Sequence, residues 1–213
     1  AALLFLTGIG FFYTWHLGVN VSEGGKEAYL VWAFSAEALA EGRWWTPLTS
    51  MFLHGGTWHI LMNTGALIAF GLVVGEHLGR GLQAFATFLI FYFICGLAGA
   101  LTYLLIHPSG DVPMVGASGA ICGLWGAAAR MSNDPNTELA PVWSKDVALQ
   151  SQRFAAANLV LVIPILLLGW MFDGAGRIAW EAHAGGYVAG LLLIGKLPRG
   201  RPIASTVGLT ETA

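Results

Sequence analysis

The run VGASGAICGLWGAAARM, residues 115–131, is nearly membrane length and apolar, yet it carries a serine, Ser118, close to its start. A hydroxyl placed in hydrocarbon is costly, and polar groups retained there mark functional sites. Gly119, Gly123 and Gly126 recur about once per helical turn, so one face of this run is smooth enough for another helix to lie against it. The run also decides the class of fold. A helix needs about 20 residues to cross the hydrocarbon of a bilayer, and six stretches approach that length: 1–17, 58–76, 82–106, 115–131, 154–172 and 178–197. No alternating strand pattern is present. Backbone polar groups in lipid must be satisfied within the chain, so the expectation is an all-α membrane protein, a bundle of six transmembrane helices.

Composition agrees. Of 213 residues, 56% are hydrophobic and only 10% charged, against about 25% charged in soluble domains. The net charge of -2 offers no electrostatic footprint for nucleic acid. Cys95 and Cys122 sit in apolar runs and read as buried free thiols, with a disulfide left open. Residues 1–197 read as one core and 198–213 as a disordered C-terminal tail. The connector 18–57 mixes charges (Glu37, Glu41, Arg43) with Trp32, Trp44 and Trp45. It is too polar to span, and its aromatics suit the headgroup region, so it is expected to form short interfacial helices and loops. The first apolar run starts at Ala1 with neither a basic leader nor a cleavage site, so a preceding segment is expected.

Orientation follows from the cations. Arg80, Arg130, Lys145, Arg153, Lys196, Arg199 and Arg201 fall in the second and fourth connectors and the tail, while Lys26, Arg43 and Arg177 fall in the first and fifth connectors. The positive-inside rule then puts both termini in the cytoplasm and the starts of the second, fourth and sixth spans on the outer side of a cell (inner) membrane. Ser118, His183, His59 and Asn63 all lie near those starts, so the polar residues of three separate spans converge in one leaflet.

A serine and a histidine at like depth have the residue types of a nucleophile and its general base. Ser118 sits at a helix start, where free N–H groups and the positive dipole end favour a developing oxyanion. His183 lies in AHAGGYVAG, where Ala182, Gly186 and Gly190 recur every fourth residue. That small-residue face matches the one on residues 115–131, and close packing of the two spans would bring imidazole to hydroxyl. His59 and Asn63 are spaced i, i+4 and share a helix face, as oxyanion donors would. His54 precedes Gly55-Gly56 in the turn before that helix. His54, His59 and His183 could also be weighed as metal ligands. Five-residue spacing, however, points His54 and His59 about 140° apart on a helix, and no carboxylate or cysteine completes a zinc set. No metal and no cofactor are expected. Glu181 is expected to cap its helix or face the interface, which leaves a Ser–His dyad without a third member.

On FLHGGTWHILMN (52–63), GASGA (116–120) and AHAGGYVAG (182–190), the chain resembles the rhomboid family of intramembrane serine proteases, in its compact six-helix bacterial form. The resemblance implies Ser118 as nucleophile and His183 as base. It implies an oxyanion hole from the Ser118 N–H, His59 and Asn63, and a first loop partly embedded in the membrane and held by His54. Gly116, Gly119, Gly186, Gly190 and Tyr187 would support the site. Substrates would be transmembrane proteins cleaved in or beside their spans, within the lipid bilayer. The alternative is a non-catalytic rhomboid-like protein that binds transmembrane clients. A transporter would place its polar residues at mid-membrane and often show inverted repeats, which are not seen. Two departures from the family pattern matter. Thr46 stands where many members have an arginine, for which Arg43 is the candidate substitute. Cys122 stands where members often have an aromatic ring against the histidine, so orientation of His183 must come from Tyr187 or from packing.

Overall fold

The computed structural model describes residues 8, 29–132, 138–172 and 178–200. Apart from Gly8, the expected span 1–17 lies outside the described residues, as do positions 201–213 of the tail. Among the described residues the fold is all-helical, with seven α-helices: α1 (Ala36–Ala40), α2 (Thr46–Thr49), α3 (Thr57–Leu78), α4 (Leu82–Ile106), α5 (Ser118–Ala128), α6 (Lys145–Phe172) and α7 (Trp180–Leu193). Single turns of 3₁₀ helix follow α2 at Ser50–Phe52 and α7 at Ile194–Lys196.

Among the described residues, α3 and α4 are the two helices long and apolar enough to cross a membrane. Leu61 and Leu72 on α3, and Ile90, Leu101 and Leu105 on α4, stand exposed in the isolated chain. Exposed apolar faces of this extent are what lipid would cover.

Two boundaries differ from the sequence expectation. The run 115–131 is helical only from Ser118. The chain before it is held extended by a two-way backbone bridge between Phe34 and Met114 (3.1 and 2.7 Å) and by the Gly116 N–H donating to the Ser50 carbonyl (2.9 Å). Gly116 then turns into the helix at φ 116°, a left-handed value that favours glycine. The resulting α5 has 11 residues, roughly 16 Å of helix, and its neighbours enclose it. In contrast, α6 begins at Lys145, before the apolar run, because Ser144 Oγ accepts from the Val147 N–H (3.3 Å) and caps a polar first turn.

The bundle is organised around α7, which lies between α4 and α5. A Cβ built on Gly185 would strike Thr102 of α4, and one on Gly99 of α4 would sit 2.7 Å from the Ala182 carbonyl oxygen. On the other side, a Cβ on Gly186 would overlap the Gly119 carbonyl oxygen, and one on Gly190 the Gly123 carbonyl oxygen. The two small-residue faces read from sequence therefore meet backbone to backbone. Phe91, Tyr92, Leu124 and Ile194 fill the core beside this contact. Cys95 and Cys122 are both buried free thiols.

The first loop carries its own bonding. Arg43 Nη1 donates to the Leu30 carbonyl (2.6 Å), its Nε to Glu41 (3.0 Å), and buried Thr46 Oγ1 to the Arg43 carbonyl (2.8 Å). Arg43 thus ties Leu30 and Glu41 to the stretch that carries Thr46.

Candidate active site

Ser118 is the first residue of α5 and His183 lies in the first turn of α7. The glycine contact between these helices draws their starts together, and Ser118 Oγ stands 2.7 Å from His183 Nε2. That distance is a short hydrogen bond. The serine can donate only if Nε2 is unprotonated, so the neutral ring carries its proton on Nδ1.

His59 and Asn63 occupy the first two turns of α3 and face Gly116. A Cβ on Gly116 would lie 2.7 Å from His59 Nε2 and 3.6 Å from Asn63 Nδ2. Glycine at this position is therefore needed for space as well as for its φ. The Gly55 N–H donates to His59 Nδ1 (3.3 Å), so neutral His59 carries its proton on Nε2, the atom nearest Gly116. Asn63 Nδ2 is buried with no protein acceptor. The first N–H groups of α5 also lack intrahelical partners, as at any helix start. Three kinds of donor thus surround the space beside Ser118 Oγ: an imidazole, an amide and a helix N-terminus.

His54 is buried behind His59, with ring centroids 4.9 Å apart in an edge-on arrangement. Burial pushes its pKa down to about 4, helped by His59 and partly offset by the Phe52 backbone. It is neutral at pH 7 and packs against the His59 ring.

A cavity of about 800 Å³ opens onto Ser118, His183, His59 and Asn63, and Trp58 and Met62 give it apolar wall. The sequence-selected Gly116 and Gly119 also line it. Gly186 and Gly190 lie in the helix contact behind it, where their lack of a side chain sets the α5–α7 distance. Tyr187 faces α6: its hydroxyl pairs with Ser151 Oγ (3.0 Å) and its ring stacks on Phe154 (centroids 4.0 Å apart).

Two features escaped the sequence reading. Glu181 neither caps its helix nor faces the interface. It is buried, with Oε1 2.8 Å from His107 Nε2 at the end of α4, a pairing across 74 positions that sequence spacing does not announce. And His183 Nδ1 stands 2.7 Å from Asn158 Oδ1 on α6, so the imidazole has a partner on each side. The signal was a single amide inside the apolar run 154–172.

The chain is similar to known proteins over most of its length. The Rhomboid domain family model matches residues 41–199. The chain is 29% identical to Rhomboid protease GluP of Bacillus subtilis over 196 residues, which is 89% of this chain and 33% of that protein. It is 30% identical to RHOMBOID-like protein 5 of Arabidopsis thaliana over 162 residues, 76% of this chain and 46% of that one. With the Putative rhomboid protease YdcA of Bacillus subtilis it shares 36% identity over 88 residues, 41% of each chain. The chain spans between a third and a half of the length of these relatives. The match over most of its length, ending beyond α7, shows that the chain belongs to the rhomboid family.

Proposed function

We propose that this protein is an intramembrane serine endopeptidase that hydrolyses peptide bonds in or next to the transmembrane segments of other proteins. Rhomboids are generally intramembrane serine proteases. The observation that carries the reading for this chain is the 2.7 Å contact between Ser118 Oγ and His183 Nε2, open to a cavity beside Asn63 Nδ2.

Ser118 attacks the scissile carbonyl as His183 Nε2 takes its proton. The carbonyl oxygen becomes an oxyanion and accepts from His59 Nε2–H, Asn63 Nδ2–H and the Ser118 backbone N–H. Collapse expels the amine, which receives the proton from His183 and leaves an ester on Ser118. Water entering through the cavity is then deprotonated by His183 and attacks the ester; the bond to Ser118 Oγ breaks, the acyl product leaves as a carboxylic acid, and His183 returns the proton to Oγ. A helical substrate must unwind locally first, because its carbonyls are otherwise hydrogen bonded. No step requires a metal or a cofactor.

The same reading takes residues 1–197 as a six-span core with an embedded first loop. Both termini are cytoplasmic and the cavity opens to the outer side, as the Lys and Arg distribution supports. Partners are transmembrane substrates and the bilayer itself. Cleavage of a panel of single-span transmembrane proteins in liposomes tests the function. Wild type should cut at least one and Ser118→Ala none; cutting by Ser118→Ala at the wild-type rate would overturn it.

A further inference from the structure

We propose that Asn158 is a positioning residue that completes a Ser118–His183–Asn158 triad. The inference rests on the protease reading and deepens it.

The contact belongs to a built seam. Ser151, Phe154 and Asn158 are spaced i, i+3, i+7 and share one face of α6, while His183 and Tyr187 are spaced i, i+4 on α7. Ser151 and Phe154 meet Tyr187, and Asn158 meets His183. Contacts therefore rise along α6 as they fall along α7, so the helices run antiparallel and Asn158 comes level with the imidazole. Trp125 of α5 also meets Phe154 edge-on, with ring centroids 5.3 Å apart.

The amide has one workable orientation. Its Nδ2 donates to the Phe154 carbonyl on its own helix (2.9 Å), which turns Oδ1 toward the ring. An oxygen there can only accept, so it requires the proton on Nδ1. That is the tautomer which leaves Nε2 free to take the Ser118 proton. Asn158 itself gains no proton at any stage. It holds Nδ1–H in place while the Ser118 proton travels to Nε2 and back out. Cys122, one turn after Ser118, offers no ring to brace the imidazole, and the neutral amide does so without burying a carboxylate.

The test uses the full chain in phosphatidylcholine–phosphatidylglycerol liposomes with a single-span substrate and a fluorophosphonate probe. Asn158→Leu removes the acceptor at similar volume and should lower kcat and the Ser118 labelling rate by about 10- to 100-fold with KM nearly unchanged, since misoriented catalytic groups cost rates of this order. Asn158→Asp keeps an acceptor but loses the bond to Phe154, and should retain at least about a tenth of wild-type kcat. A merely structural amide would give the opposite order, because a carboxylate between helices is the harsher change. Wild-type rates in Asn158→Leu, or Asn158→Asp as impaired as Asn158→Leu, would overturn the assignment. Should Asn158→Leu fail to fold, Asn158→Ala replaces it in the same comparison. Labelling of Ser118 in wild type together with either of those results would sink the triad alone, whereas no labelling of Ser118 in wild type would sink the protease reading with it.

Discussion

Replacing Asn63 with leucine should separate catalysis from folding. Asn63 Nδ2 is buried and has no protein acceptor, so removing the amide breaks no hydrogen bond from this donor to another residue of the fold. Leucine has similar volume and carries no donor, so the variant should be about as stable as wild type. In turnover the same amide is one of three proposed oxyanion donors. Loss of one such donor costs about 100- to 1,000-fold in rate, roughly 2.7–4 kcal/mol. His59 and the Ser118 N–H remain, so we expect the lower end, about 100-fold in kcat. KM should change little, since the bond forms with the developing charge rather than with the resting carbonyl. Thermal unfolding in bicelles reads stability, and initial rates on a transmembrane substrate read catalysis. A kcat within about threefold of wild type would refute the oxyanion assignment. A collapse of stability in step with the rate would refute the view that Asn63 serves catalysis rather than the fold.

Other substitutions probe the scaffold. Gly186→Val should force α5 and α7 apart, lowering both unfolding temperature and Ser118 labelling, because its side chain would occupy the Gly119 carbonyl. Gly119→Ala, whose Cβ would rest 3.4 Å from the Ala182 carbonyl oxygen, should leave the unfolding temperature within a few degrees; equal damage from both would contradict the packing geometry. For His54, whose pKa is lowered from 6.5 to about 4, acid takes effect through the unfolded chain. That chain binds a proton below about pH 6.5 while the buried ring refuses it until about pH 4, so stability is full above 6.5 and declines between those values by roughly 2–3 kcal/mol. Unfolding curves from pH 7 to 4 should therefore flatten in His54→Gln, and an unchanged pH slope would show that His54 is not the group involved.

The sequence made some of this legible and not the rest, for physical reasons. The glycine and alanine spacing at 119, 123, 186 and 190 was readable because small residues at helical period carry a packing meaning of their own. The meeting of Ser118 with His183 followed from those faces. The late start of α5 was not readable, since a hydropathy run does not distinguish extended chain from helix, and the bridge from Phe34 to Met114 is long-range. Asn158, a lone amide in an apolar run, was passed over. Its partner depends on how α6 is rotated against α7, which Ser151, Phe154 and Tyr187 settle only in three dimensions. The pairing of Glu181 with His107 is of the same kind. Arg43 could be nominated as a substitute for the residue at Thr46, while its acceptor, the Leu30 carbonyl, could not.

The central claim is that an imidazole activates one particular alcohol inside a wet cavity among membrane helices. The most direct measurement is the site of covalent capture: wild type, Ser118→Ala and His183→Ala in liposomes are treated with a fluorophosphonate and the adduct is mapped by peptide mass spectrometry. The account predicts one adduct, on Ser118, absent in Ser118→Ala and at least about 100-fold slower to form in His183→Ala. An adduct on another serine, or equal labelling of Ser118 with and without His183, would contradict it.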